Sequence, residues 1–161
     1  VRIRFIGQPF PKYDQIGPVI CAALRDEAST NAWFATAWTK RSGLRRLAAD
    51  LTRFRTGGGH AEVLVGVDEG GATVEGLEIA IDLFDTAHVF HDPGGRTFHP
   101  KIYVVEGAVR ATAIVGSGNL TRGGLFTNYE GAVVADLDLG VDDDARYLSE
   151  IRAYYDRLMA V

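Results

Sequence analysis

Between residues 14 and 90 the chain alternates segments of helical periodicity with short apolar runs, and this alternation limits the possible folds more than any other feature. Ile16, Val19, Ile20, Ala23 and Leu24 share one face of a helix expected over 14–28, and AWFATAW (32–38) follows as a run of strand length. Leu44, Leu47, Ala48, Leu51 and Phe54 then recur at i, i+3 and i+4, with Ser42 placed to cap the helix and three glycines, 57–59, closing it. AEVLVGV (61–67), a helix over 73–84 and the short strand AHVF (87–90) continue the pattern. Past the turn at 92–95 the period changes. Two successive strands, 98–106 and 109–116, flank Gly107-Ala108 and predict a hairpin. A polar, glycine-rich segment (117–128), a strand (130–136) and a helix (143–159) complete the chain. Alternating units followed by antiparallel additions predict an α/β fold, a mixed β-sheet flanked by helices on both faces.

The 161 residues suit a single domain, 1–161, expected to be a piece of a longer protein because the chain starts at Val1 and ends directly after its last helix. No apolar run is long enough to span a bilayer and no signal-like start is present, so a cytoplasmic protein without a membrane partner is expected. Cys21 has no partner for an intrachain disulfide and falls in an apolar helical pattern, which makes it a core residue. The net charge of −4 argues against binding nucleic acid by charge alone. Charge is unevenly spread, however: Lys40, Arg41, Arg45, Arg46, Arg53 and Arg55 stand against a single Asp50 in that segment. That helix face serves either solubility or contact with a phosphate backbone.

The stretch TFHPKIYVVE (97–106) places a histidine and a lysine two residues apart, so that in a strand both would point to one face. Pro100 between them lacks an N–H and fits best at a strand start or edge. The returning hairpin strand ends in Gly116-Ser-Gly-Asn119, and Glu130 opens the next strand. If these groups converge, Lys101 offers a point charge for an anion, Ser117 and Asn119 offer donors, and His99 can act as nucleophile or acid-base group. The blander alternatives are a solvated edge pair at His99 and Lys101 and a turn or cap role for Asn119. His88, His91 and Asp92 lie close by, but no second cluster at ligand spacing accompanies them, so no metal is assigned and no cofactor is called for.

H-x-K followed by Glu106 and GSGN resembles the HKD signature of the phospholipase D superfamily, with Glu106 where the family pattern has aspartate. The likeness is nearer to the phospholipase D-like nuclease branch of restriction endonucleases and helicase-associated domains, which pairs H-x-K with GS-x-N and a downstream glutamate. It implies a phospholipase D-like fold and a metal-independent phosphodiesterase or endonuclease that cleaves DNA through a phosphohistidine. By this resemblance His99 is the nucleophile, Lys101 and Asn119 hold phosphate oxygens, Ser117 assists and Glu130 orients His99. Arg96 and Arg122 flank the motif, and with Arg45 and Arg46 they are the candidate contacts to substrate. Family enzymes use two such motifs and this chain has one, so the resemblance implies a homodimer with a shared site. Helicase or DNA-recognition domains in a longer chain, and a role in restriction or defence, belong to the same expectation. The competing readings are a catalytically silent DNA-binding or dimerisation module and a phosphodiesterase acting on phospholipid.

Overall fold

The computed structural model describes residues 1–10 and 14–161. Seven strands form one mixed sheet: β1 (Arg2–Gln8), β2 (Ser29–Thr36), β3 (His60–Gly66), β4 (Thr86–Phe90), β5 (Lys101–Gly107), β6 (Arg110–Gly116) and β7 (Glu130–Asp138). Their order is β1-β7-β6-β5-β2-β3-β4, with β2, β3 and β4 parallel to one another and the remaining pairs antiparallel. The parallel strands are those joined by helices, and the antiparallel ones include the predicted hairpin, because only a long crossover can return a chain in parallel.

Helices α1 (Ile16–Arg25), α2 (Arg41–Thr56) and α3 (Val74–Leu83) cover one face, and α4 (Asp142–Met159) covers the other. On the first face Phe34 is fully buried and meets Phe84 and Tyr103 edge-on, at 5.6 and 5.3 Å between ring centroids. On the second, Trp33 packs on Tyr155 at 5.0 Å and donates its indole N–H to Glu106 at 3.1 Å. Glu106, the acidic residue that follows the H-x-K motif, therefore serves the core rather than the chemistry. Cys21 lies on α1 and is buried near Asp50 of α2, and burial together with Asp50 pushes its thiol up to about 12, in line with a core role. Asp50 is itself held by a two-point contact with Arg25, at 2.7 and 2.9 Å.

Three local expectations need correction. Lys40, not Ser42, occupies the N-cap of α2, with no side-chain bond, because the Lys40 N–H is tied to the Leu120 carbonyl at 3.0 Å. Strand β5 begins at Lys101 rather than 98, since Pro100 has no N–H and the Phe98 N–H is taken by Asp68. Strand β1 was not predicted. Its alternation, Arg2 and Arg4 against Ile3 and Phe5, is real but sits at a sheet edge with the apolar residues facing solvent. Among the described residues no helix is long and apolar enough to cross a membrane.

Candidate active site

The end of β2, the start of β5, the end of β6 and the start of β7 meet at one end of the interior strands: Thr36 lies opposite Lys101, and Gly116 opposite Ala132. Lys101, Tyr103 and Val105 alternate onto the face covered by α1 to α3. The Tyr103 hydroxyl donates to the Gly118 carbonyl at 2.6 Å, which pins the GSGN turn to the middle of the sheet. A Cβ on Gly118 would come within 2.2 Å of the Gly124 carbonyl, and one on Gly124 within 2.4 Å of the Asn119 nitrogen. Only glycine allows the two backbones to approach so closely.

Lys101 is 5% exposed and donates to the His99 carbonyl at 2.8 Å. Burial pulls its ammonium down to about 8, and the charge of Glu130 opposes the shift only in part. An ammonium has three donors, and among the described residues this one has no carboxylate within ion-pair distance. It is a cation suited to an anion that arrives from outside.

Asn119, 9% exposed, is oriented by the backbone that follows β2. The Trp38 N–H donates to its Oδ1 at 3.1 Å, while the Thr36 hydroxyl accepts from the Leu120 N–H at 3.2 Å and donates to the Trp38 carbonyl at 3.1 Å. With Oδ1 occupied by an N–H, the orientation is determined, and Nδ2 has no partner among the described residues. The carboxamide therefore presents donors.

His99 is exposed, and its ring nitrogens make no hydrogen bond among the described residues. Its ring stands edge-on to Trp38 at 6.1 Å, and Trp38 rests on Gly71, where a Cβ would reach 2.0 Å from the indole. Although His99 lies outside β5, its backbone is held. The Asp68 carboxylate accepts from the Phe98 N–H at 3.0 Å and contacts His91 Nδ1 at 3.3 Å, and Phe98 stacks on Phe90 at 4.5 Å. The Phe98 N–H, with a smaller contribution from His91, keeps the Asp68 carboxyl below the usual carboxylate range. If this anchor sets the position of His99, Asp68→Ala should lower kcat/KM by about 10- to 100-fold. Asp68→Asn, which keeps an acceptor for the Phe98 N–H, should restore most of that rate.

Ser117 and Glu130 form a pair of their own. The Ser117 hydroxyl donates to Glu130 Oε2 and accepts from the Gly131 N–H at 3.1 Å, while Asn128 Nδ2 lies 3.4 Å from Oε1. Within one copy of the chain, Glu130 makes no hydrogen bond to His99 among the described residues; its partner is Ser117. Arg96 and Arg122 are exposed beside the motif. Arg46 lies over the Phe126 ring, 5.1 Å from its centroid, on the flank of the turn Gly123–Thr127. Arg45 instead faces α3, sharing a groove with Glu75, Glu78 and Asp82. Farther along the same helix, Arg55 pairs with Asp85 at 2.9 Å and Arg53 donates to the Arg25 carbonyl at 3.1 Å, so that end of the basic face is used internally. Thr36, Trp38 and Asp68 escaped the sequence reading. Each acts through contacts with residues 30 to 84 positions away, for which a linear motif carries no sign.

No protein-family model matches the sequence, and no curated protein sequence does. Similarity in three dimensions is extensive. NucT from Helicobacter pylori superposes over 99% of this chain and 96% of its own, with a TM-score of 0.67 at 14% identity. Nuc from Salmonella typhimurium, a phospholipase D family member, covers 97% of this chain and 93% of its own, with a TM-score of 0.66 at 17% identity. Yeast tyrosyl-DNA phosphodiesterase matches 85% of this chain with 33% of its own, at a TM-score of 0.56 and 9% identity. The chain thus has the α/β fold of the phospholipase D superfamily. Its H-x-K and GS-x-N segments stand together at one end of the interior strands.

Proposed function

We propose that this protein is a phospholipase D-like phosphodiesterase that cleaves DNA without a metal, through a phosphohistidine, in a site completed by a second copy of the chain. The observation that carries this reading is the meeting, at one end of the interior strands, of an imidazole (His99) and a buried ammonium (Lys101), neither with a side-chain partner among the described residues, and a carboxamide locked with its donors outward (Asn119). Such a set binds a phosphate and attacks it, with Lys101 supplying positive charge where the pentacoordinate phosphorus gathers negative charge.

In the first step a His99 nitrogen forms a bond to phosphorus as the bond to the leaving oxygen breaks. The second copy's His99, protonated, passes its proton to that oxygen. Water then attacks phosphorus, the now neutral second imidazole takes the water proton, and the N–P bond breaks to release a phosphate monoester. Ser117 and Glu130 border this space as a hydrogen-bonded pair. Arg122, Arg96 and Arg46 extend positive charge along the substrate backbone, whereas Arg45, with carboxylates across its groove, contributes less.

A second copy has a surface to occupy. Phe5, Val133 and Val115 lie in register across three strands, are 67%, 40% and 39% exposed, and form an apolar row on the sheet face that α4 leaves open. The row adjoins Gly131, whose N–H bonds Ser117, so a partner seated there would reach the site. A nuclease of this type fits the restriction or defence setting implied by the sequence resemblance, with helicase or recognition domains as its partners.

Plasmid cleavage in EDTA tests the reading. Nicking that persists in EDTA, with an acid-labile phosphoprotein trapped during turnover, is expected. Absence of cleavage under all conditions would leave a silent binding module, and faster turnover of a phospholipid would move the substrate to lipid.

A further inference from the structure

Two aromatic rings stand out from the surface at the rim of the site. Tyr129 is 80% exposed and directly precedes Glu130. Phe10 is 79% exposed and lies just past Gln8, which is opposite Glu130 across β1 and β7. Their ring centroids are 5.6 Å apart with planes inclined by 52°. Side chains of this kind normally seek burial, and here they are among the most exposed apolar groups of the described residues.

The base beneath them is firmly tied. Gln8 Nε2 donates to the Gly124 carbonyl at 3.0 Å, and the Asn128 N–H donates to the Gly123 carbonyl at 2.9 Å, which closes the turn leading into Tyr129. Two arginines stand at the turn before Tyr129, and Glu130 follows the ring in the chain. Arg122 opens that turn and Arg46 lies against its Phe126, both exposed and neither in an ion pair among the described residues. This combination differs from the row of Phe5, Val133 and Val115, which has no arginine in register with it. Projecting rings beside arginines suit a polyanion that itself carries planar rings. In a duplex the faces of the bases are covered by their neighbours. Only an unpaired base offers a free face to a protein ring.

We infer that Phe10 and Tyr129 form a stacking platform for unpaired nucleobases beside the phosphate held by Lys101 and Asn119, so that single-stranded nucleic acid is the preferred substrate. The inference rests on the nuclease reading of the same site and adds the strand state of the substrate.

Fluorescence anisotropy on the full chain carrying His99→Ala, which keeps the probe intact, tests it with labelled oligothymidylate and an abasic oligomer of equal length. Oligothymidylate should bind about 10-fold or more tightly than the abasic strand. Phe10→Ala combined with Tyr129→Ala should abolish that advantage and leave the abasic affinity unchanged. Equal affinity for the two probes, or equal weakening of both by the double substitution, would overturn the inference. So would loss of self-association in the double variant on sedimentation, because the rings would then belong to a contact between copies. Binding needs no cleavage. A protein that never cleaves DNA but prefers bases over the abasic strand would refute the nuclease reading alone, and an active nuclease indifferent to bases would refute the platform alone.

Discussion

His99→Ala should lower DNA cleavage by about 10⁴-fold or more, the scale seen when a nucleophile that works as part of a unit is removed. The reason lies in the surroundings of the ring. Among the described residues no other side chain at this end of the strands combines an exposed, unbonded lone pair with proximity to the phosphate-binding groups: Ser117 is hydrogen-bonded to Glu130, and Lys101 is buried and donates to a carbonyl. The same substitution reports on assembly. If one site needs two histidines from two copies, mixing wild-type and variant chains should make activity fall as the square of the wild-type fraction. A linear fall in exchanged mixtures would mean that each chain works alone. A His99→Ala protein as active as wild type would remove the proposed chemistry altogether.

Lys101→Met should reduce kcat/KM by about 10³-fold, a loss comparable to that of a donor placed on developing transition-state charge. Its pH behaviour separates charge from shape. Burial lowers the Lys101 ammonium to about 8, so the free protein carries the phosphate-binding charge below that pH and loses it above. The kcat/KM profile of the wild type should therefore fall on the alkaline side near pH 8. Bound phosphate favours the charged form, so the corresponding limb of kcat should lie at higher pH. For stability the sign is reversed. The unfolded chain holds this proton more tightly, up to the ordinary lysine value of 10.5, so burial of Lys101 disfavours the folded state below about pH 8. That cost fades as pH rises from about 8 toward 10.5. Lys101→Met should accordingly be at least as stable as wild type at neutral pH, as thermal unfolding would show. A large loss of stability would mean that the lysine holds the fold and not a ligand.

Much of the architecture was legible because burial imposes a period on the sequence. Strands β2 and β3 are covered by helices on both faces and read as unbroken apolar runs, and α2 shows a narrow apolar stripe, so their assignments shifted by only a few residues. Strand β1 escaped because its inward face alternates Arg2, Arg4, Ile6 and Gln8, with Ile6 as its one apolar residue, while Ile3 and Phe5 stand in solvent. The turn Gly123–Thr127 escaped for a related reason. Its glycine-rich composition reads as loop, yet Leu125 is fully buried beneath α1 and α2.

The candidate site divides in the same way. Types and spacing, read with the family resemblance, named His99, Lys101, Ser117, Asn119 and Glu130, and a hairpin brings H-x-K and GSGN to one end of the interior strands. How those groups are held was decided only in three dimensions. Asn119 is turned by the Trp38 N–H, His99 is fixed through Asp68 and Phe98, Lys101 is stripped of water by the sheet around it, and Glu130 is claimed by Ser117. Residue type determines which reaction a side chain can support. Orientation, proton affinity and pairing depend on neighbours that the fold brings from far along the chain, and a linear sequence does not contain those distances.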